Sequence, residues 1–150
     1  NRTASDIHRQ FSLSTHLYGG PLSAMAAKCI LIVDDEVSIQ KVVSLSLRME
    51  ANWTVVTASS GKEGIEQATL HQPDVILLDV MMPELDGIAT FKALQDNPKT
   101  QAIPVVLLTA KTRTAEKQLF QKVGVAGVIT KPFTPLTLAS NISKLLSWAL

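Results

Sequence analysis

The stretch 71–87 most constrains what this chain can fold into. Within it, the large apolar residues Val75–Leu78 form a run that is typical of a strand buried on both faces of a parallel sheet. The run ends at a carboxylate, Asp79, and Pro83 and Gly87 then indicate a loop before the next helical pattern. Ligands bind at the carboxyl edge of an open parallel sheet. We therefore interpret Asp79 as a functional residue that a buried strand delivers to that edge.

Length and composition are those of one folded domain. The chain has 150 residues, of which 46% are hydrophobic and 18% are charged, so it can bury a sizeable core. Its net charge of +1 gives no reason to expect nucleic-acid binding through a basic field, and no apolar run approaches the roughly 20 residues that span a bilayer. We interpret the single cysteine, Cys29, as a small buried hydrophobe. Because one cysteine cannot form an internal disulfide, a reducing compartment, the cytoplasm, is expected.

Residues 1–24 differ from the rest of the chain. They are rich in serine and threonine, contain Gly19-Gly20-Pro21, and show neither a sustained period nor the apolar centre of a secretory signal. We predict a flexible extension here, with a tag or another non-native segment as the alternative and Met25 as a candidate natural start. Residues 25–150 are predicted to form the folded domain.

From Lys28 onward, apolar runs alternate with helical periodicities five times. Five such units predict a doubly wound α/β domain with a five-stranded parallel sheet. The first and third runs are the most apolar, so we place them centrally, in the flavodoxin-like order 2-1-3-4-5. The predicted strands are Cys29–Val33, Trp53–Ala58, Val75–Asp79, Ile103–Leu108 and Ala126–Thr130. The predicted helices are Glu36–Glu50, a second from a Ser59 or Ser60 cap to His71, Leu85–Gln95, Thr114–Val123, and Thr134–Trp148 with Leu138, Ile142 and Leu145 inward.

Polar residues stand at the ends of four predicted strands: Asp34 with Asp35, Asp79, Thr109 and Lys131. The carboxyl ends of parallel strands share one edge, so three carboxylates are expected to converge and to raise one another's pKa. A hard divalent cation such as Mg²⁺ relieves this repulsion and accepts a phosphate oxygen as a further ligand. The lysine suits an incoming phosphate, and the threonine adds a hydroxyl donor. A carboxylate in this setting can attack phosphorus and become an acyl phosphate.

At these residues the chain resembles the receiver domain of two-component response regulators. The resemblance covers about residues 28–146, and it implies a phosphorylation-dependent signalling switch of a phosphorelay. It also implies that Asp79 accepts the phosphoryl group from a histidine kinase or phosphotransfer protein, in a Mg²⁺-dependent reaction. The matching motifs are Val33-Asp34-Asp35-Glu36, Leu78–Pro83 with Asp86-Gly87, Leu108-Thr109-Ala110 and Lys131-Pro132-Phe133.

The resemblance further implies a set of metal ligands. Asp35 and Asp79 would bind Mg²⁺ directly, joined by the backbone carbonyl of Met81. Asp34 would act mostly through water.

The resemblance also implies roles on the other side of the site. Thr109 would be the switch hydroxyl that moves toward the phosphoryl group, and Lys131 would pair with that group across a cis bond to Pro132. One position departs, because receivers often carry Tyr or Phe three residues before the lysine and this chain has Val128. Met81 and Lys111 fall at variable family positions that tune phosphate lifetime.

The expected partners are a histidine kinase or phosphotransfer protein and a downstream protein target, without nucleic acid or membrane. If the protein forms a homodimer, the fourth predicted helix, the fifth strand and the fifth helix are the expected surface. The chain ends just after the fifth predicted helix. We therefore expect either a single-domain regulator or a receiver fragment of a larger regulator or hybrid kinase.

Three other functions were weighed from the residues. An aspartyl-nucleophile phosphohydrolase commonly has a second Asp two residues after the nucleophile, where this chain has Met81, so we predict that the protein is not an enzyme. A mononucleotide or flavin binder needs a Gly-rich loop after the first strand, where this chain has three acids, residues 34–36. A receiver-like interaction module that is never phosphorylated stays open, although the intact acidic set, Thr109 and Lys131 argue against it.

Overall fold

The computed structural model describes residues 27–82, 87–110, 118 and 120–148. Its five strands form one parallel sheet in the order β2-β1-β3-β4-β5, which confirms the predicted fold class and places β2 at an edge. The strands are β1 (Cys29–Val33), β2 (Thr54–Ala58), β3 (Val75–Asp79), β4 (Val105–Thr109) and β5 (Gly127–Thr130). The helices are α1 (Val37–Ala51), α2 (Gly61–His71), α3 (Gly87–Asp96) and α4 (Leu138–Leu146), with a 3₁₀ turn at Pro135–Thr137.

Some sequence predictions fall outside the described residues. These are the extension at 1–24, the loop that contains Pro83 and Asp86, the residue Lys111, and most of the predicted helix Thr114–Val123. Gln118 and residues 120–122 of that helix are helical. Among the described residues, no helix combines the length and hydropathy that a bilayer crossing needs.

The sheet separates two hydrophobic layers because successive side chains of a strand point to opposite faces. Every residue of β3 is buried, as a strand covered by helices on both sides requires. Under α1 and α4, the layer contains Ile30, Ile32, Leu77, Val106, Leu108, Val43, Leu47 and Ile142. Under α2 and α3, it contains Leu31, Val33, Ile76, Leu78, Leu107, Ala68, Phe91 and Leu94.

The start of α2 shows how local sequence defines an element. The Ser60 hydroxyl oxygen accepts a hydrogen bond from the Glu63 N–H at 3.1 Å, so Ser60 is the cap that the sequence offered as one of two choices. The Glu63 carboxylate in turn accepts from the Ser59 N–H at 3.2 Å. One turn on, Gly64 lets α2 lie close to β1, because a Cβ there would be 2.8 Å from a methyl carbon of Val33.

Several predicted boundaries were wrong by one or two residues. β2 begins at Thr54 because the N–H of Trp53 bonds to the Leu47 carbonyl at 3.3 Å and so belongs to the end of α1. β4 begins at Val105 because Pro104 has no N–H to donate to a strand partner. Cys29, predicted as buried, is only half-buried at the first position of β1.

The last helix differs most from its prediction. It starts with a 3₁₀ turn, and α4 ends at Leu146 because Ser147 takes a left-handed conformation, with φ 57°. Leu138 and Ile142 are fully buried, as predicted. Leu145 also faces the sheet, since a Cβ on Gly127 of β5 would lie 2.7 Å from a Leu145 methyl carbon, but 37% of Leu145 is exposed. Ala139 and Ser143 are buried on the same helix.

The amino edge of the sheet is closed by side chains. Trp53 and Trp148 meet edge to face, with ring centroids 5.5 Å apart, and the Lys28 ammonium lies 4.8 Å from the centre of the Trp148 ring. Asp74, just before β3, accepts the N–H of Cys29 at 2.7 Å and donates its own N–H to the Cys29 carbonyl at 2.8 Å. Trp148 therefore has the packing role that its sequence position suggested.

Candidate functional site

The four predicted strand ends meet at the carboxyl edge. Asp34 follows β1, Asp79 ends β3, Thr109 ends β4 and Lys131 follows β5. Because β3 pairs with both β1 and β4, Asp79 occupies the middle of this edge. The backbone N–H of Lys131 donates to the Thr109 carbonyl at 2.8 Å, which places the lysine beside β4.

Asp34 is held on both carboxylate oxygens. The side chain is fully buried; its Oδ2 accepts from Lys131 Nζ at 2.8 Å and its Oδ1 accepts from the Glu36 N–H at 2.9 Å. Its backbone N–H donates to the Ala58 carbonyl at 3.0 Å, at the end of β2. This residue is therefore anchored to three different segments of the chain.

Lys131 bridges two carboxylates. In addition to Asp34, its Nζ lies 3.4 Å from Oδ1 of Asp79. Burial by itself lowers the pKa of Lys131, but the hydrogen bond to Asp34 and the charges of both carboxylates outweigh burial, so the pKa is raised. The ammonium is consequently protonated at neutral pH.

Asp79 is an acid in an unfavourable place for a charge. The residue is 3% exposed, and burial raises the pKa of its carboxyl, with the negative charge of Asp34 raising it further. The Met81 N–H, which donates to Oδ1 at 3.1 Å, and Lys131 lower the pKa but do not cancel the rise. Neutralisation of this carboxylate, by a proton or by a cation, therefore stabilises the folded protein.

The acidic residues can offer a metal ion a compact set of oxygens. One carboxylate oxygen each of Asp34, Asp35 and Asp79 lie within 4.8 Å of one another. Two of these residues are buried and Asp35 is exposed, so the set opens to solvent on the Asp35 side. Hard oxygen donors of this kind fit Mg²⁺.

The predicted cis bond and two further predicted site residues lie at this edge. The Lys131–Pro132 peptide bond is cis, as predicted. Met81, whose backbone carbonyl is a predicted ligand, lies two residues after the end of β3 and is 64% exposed. Thr109 is fully buried at the end of β4.

The model of the response regulator receiver domain matches residues 30–143 of this chain. The chain belongs to that family. The resemblance found from the motifs is therefore confirmed, and the carboxyl edge described above is the part of this receiver domain that carries those motifs.

Curated relatives agree with the family. The chain is 38% identical over 119 residues to the alkaline phosphatase synthesis transcriptional regulatory protein PhoP of Bacillus subtilis, which covers 79% of this chain and 48% of that protein. It is 35% identical to the phosphate regulon transcriptional regulatory protein PhoB of Pseudomonas aeruginosa, covering 81% of this chain and 53% of that protein. The chain thus spans about half the length of these relatives, which are named as regulators.

Solved structures agree as well. The chemotaxis response regulator CheY4 of Vibrio cholerae matches with a TM-score of 0.73 at 35% identity, covering 80% of this chain and 99% of that chain. The signal receiver domain of a signal transduction histidine kinase from Syntrophus aciditrophicus matches with a TM-score of 0.69 at 34% identity, covering 81% and 91%.

Val128, where many receivers have an aromatic residue, is partly buried on β5. It lines an open pocket of about 360 Å³ between β5 and α4. Phe133, Lys144 and Leu145 also line this pocket. This pocket lies on the surface predicted for self-association, and that role stays a prediction.

Sequence reasoning missed two residues of the receiver site. Gly87 was treated as a loop signal and motif residue, but a Cβ there would lie 2.4 Å from the Asp79 carbonyl oxygen, so only glycine fits. Gln40 was not considered, although it is 8% exposed and hydrogen-bonded to the Asp34 backbone at 2.7 Å. A signal existed, because Gln40 is a polar residue three positions before Val43 on the apolar stripe of α1.

Proposed function

We propose that this receiver domain is a signalling switch in which Asp79 accepts a phosphoryl group from a histidine kinase or phosphotransfer protein, in a Mg²⁺-dependent reaction. The observation that carries the proposal is the environment of Asp79. It is a buried acid with a raised pKa, at the centre of the sheet edge, beside one lysine and two other carboxylates. A structural role alone gives no benefit to a charge placed in this way.

The proposed reaction is one displacement at phosphorus. A carboxylate oxygen of Asp79 forms a bond to phosphorus, the bond from phosphorus to the donor's histidine nitrogen breaks, and an aspartyl phosphate results. Oδ1 is held by the Met81 N–H and by Lys131, so we assign the attack to Oδ2. The Asp79 side chain is therefore oriented before the donor arrives, and less rotamer entropy is lost in reaching the reactive geometry.

The surrounding side chains have complementary roles in the proposal. Lys131 Nζ, between Asp34 and Asp79, is placed to pair with the oxygens of the incoming phosphoryl group. Thr109, at the neighbouring strand end, supplies the switch hydroxyl whose position reports phosphorylation to the rest of the domain.

Four groups would hold Mg²⁺: the carboxylates of Asp34, Asp35 and Asp79 and the backbone carbonyl of Met81. Both oxygens of Asp34 already accept hydrogen bonds, which supports an indirect role for it and direct roles for Asp35 and Asp79. When bound, the ion would supply positive charge that balances the carboxylates and the transferring phosphoryl oxygens.

The proposal extends to the partners. The donor is a histidine kinase or phosphotransfer protein, and the receiver's output is a contact with a downstream protein. The chain matches only about half of the length of the PhoP and PhoB relatives, which favours the alternative that the domain acts as the receiver segment of a larger regulator.

The test is the intact mass of the folded protein after incubation with Mg²⁺ and acetyl phosphate. We expect one phosphoryl adduct in the wild type, and none in Asp79→Asn or without Mg²⁺. Asp74→Asn is the matched control, because Asp74 is a carboxylate at the other end of the same strand and should leave the adduct intact. Absence of an adduct in wild-type protein that binds Mg²⁺ would favour the phosphorylation-independent alternative, and an adduct on Asp79→Asn would refute the assignment of the phosphoacceptor.

A further inference from the structure

Gln40 has an unusual set of contacts for a helix residue. It lies in the first turns of α1, is 8% exposed, and directs its side-chain amide away from solvent. Its Nε2 donates to the Asp34 carbonyl at 2.7 Å and to the Ser59 hydroxyl at 3.0 Å, with the Ala58 carbonyl at 3.3 Å. An amide nitrogen has two N–H donors, so the two shorter contacts account for both. The Asp34 and Ala58 carbonyl oxygens also fix which way the Gln40 amide points, because they would repel its Oε1 atom if it replaced Nε2.

The Asp34 carbonyl belongs to the peptide bond that joins Asp34 to Asp35. Gln40 therefore holds the one peptide that connects two of the three clustered carboxylates. The other backbone group of Asp34, its N–H, bonds directly to Ala58. The Asp34 N–H is therefore bonded directly to the end of β2, and the Asp34 carbonyl is linked to the same end through the Gln40 side chain.

The consequence is larger for Asp35 than for Asp34. The Asp34 side chain is fixed by Lys131 and by the Glu36 N–H, whereas Asp35 is exposed. The direction in which Asp35 leaves the loop follows from the orientation of the peptide that precedes it. Rotation of that peptide would carry the Asp35 carboxylate away from Asp79.

We infer that Gln40 is a positioning residue that holds the Asp34–Asp35 peptide in the orientation needed for divalent-cation binding. The inference rests on the proposed function, since it concerns the same acidic cluster. Gln40 touches neither the reacting atoms nor the cation. Its effect on phosphoryl transfer is through cation affinity alone.

The test measures Mg²⁺ affinity by calorimetric titration of the unphosphorylated protein, beside urea unfolding without metal. In Gln40→Met, which keeps the side-chain size and removes the donors, we expect the Kd for Mg²⁺ to rise about tenfold, the usual scale for partners that orient metal ligands. The rate of phosphorylation by acetyl phosphate should fall at low Mg²⁺ and return close to the wild-type rate at saturating Mg²⁺.

Ser46→Ala is the matched control. Ser46 is also buried on α1, at 7% exposure, and its hydroxyl donates to the Val42 carbonyl at 2.7 Å, far from the acidic loop. It should lose stability and keep its Mg²⁺ affinity. If Gln40→Met loses stability but binds Mg²⁺ as the wild type does, Gln40 is only a structural residue and the inference is wrong.

Gln40→Asn provides a second variant should Gln40→Met not fold. It keeps an uncharged amide but shortens the side chain, so the amide no longer reaches the Asp34 carbonyl; a rise in Kd of about tenfold is expected, and an unchanged Kd overturns the inference. Failure of the wild type to bind Mg²⁺ would refute the proposed function together with this inference. Equal affinity in wild type and variants would refute only the role of Gln40.

Discussion

Asp74 directly precedes β3 and Asp79 is its last residue, and the two acids have opposite environments. Asp74, at the amino end of β3, is exposed, and its carboxylate completes the pairing of β3 with β1 by accepting the Cys29 N–H. Asp79, at the carboxyl end, is buried beside another carboxylate, and its pKa is raised. Asp74 stabilises the fold through a hydrogen bond, whereas burial disfavours the negative charge of Asp79.

The difference shows at which edge of the sheet the fold tolerates a charge that lowers its stability. The amino edge is closed by ring packing and a local hydrogen bond, neither of which needs a ligand. At the carboxyl edge, Lys131 lies between two carboxylates and balances their negative charge only in part. Departures from local consistency of this kind are expected at functional sites.

The largest stability effect is expected when Lys131 is removed. In Lys131→Met, the fully buried Asp34 loses its cation and keeps only the Glu36 N–H, so the free energy of unfolding should fall by about 3 kcal/mol. Urea unfolding measures the change, with the exposed Lys144→Met as the control. A second variant, Lys131→Met with Asp34→Asn, should regain much of the loss. Equal losses in the single and double variants would contradict the assignment of the cost to Asp34.

Next in size is Gly87→Ala. An added Cβ would lie 2.4 Å from the Asp79 carbonyl oxygen and 2.6 Å from the Val80 Cα, and neither backbone atom can move away freely. We expect a loss of about 2 kcal/mol and slower phosphorylation, because the end of β3 must shift. The comparison variant is Gly64→Ala, whose Cβ would meet only side-chain atoms of Val33. It should leave the phosphorylation rate at saturating Mg²⁺ unchanged.

Asp79→Asn should stabilise the metal-free protein at neutral pH, by on the order of 1 kcal/mol. The pKa of Asp79 is raised on folding, so the ionised side chain favours the unfolded state once pH rises through that pKa. The stability gap between variant and wild type should therefore narrow as pH falls through the raised pKa of Asp79, and it should be smallest below about 4, the ordinary pKa of an Asp carboxyl. Mg²⁺ should also narrow the gap by stabilising the wild type. Thermal unfolding over pH measures both effects, and a gap that widens toward acid pH would show that the sign is wrong.

The smallest effect belongs to the other end of the strand. Asp74→Ala removes the acceptor of the Cys29 N–H, and we expect a loss of about 0.5–1 kcal/mol with no change in phosphorylation. Hydrogen exchange should locate the loss at the first residues of β1. If Asp74→Ala were more stable than the wild type, Asp74 would not stabilise the fold, and its contrast with Asp79 would be wrong.

Much of this arrangement was predictable because strand order follows from how apolar each run is. Val75–Leu78 reads as buried on both faces, and its position beside β1 is enough to bring Asp34 near Asp79. The motif around Lys131 likewise predicted the cis bond.

The pairing of Lys131 with Asp34 was not predictable in the same way. The sequence suggested a lysine facing an incoming phosphate, whereas in the structure its ammonium bonds to a residue 97 positions away. Such a contact depends on rotamers and on how closely the strand ends approach, and no periodic pattern encodes either.

The contact between Lys28 and Trp148 has a consequence for how the domain can be joined to other sequences. These residues lie near the two ends of the described chain, and they meet at the edge opposite Asp79. The two ends of the described domain are therefore neighbours on one side, away from Asp79. Neighbouring ends of this kind are what insertion of a domain into a longer protein requires.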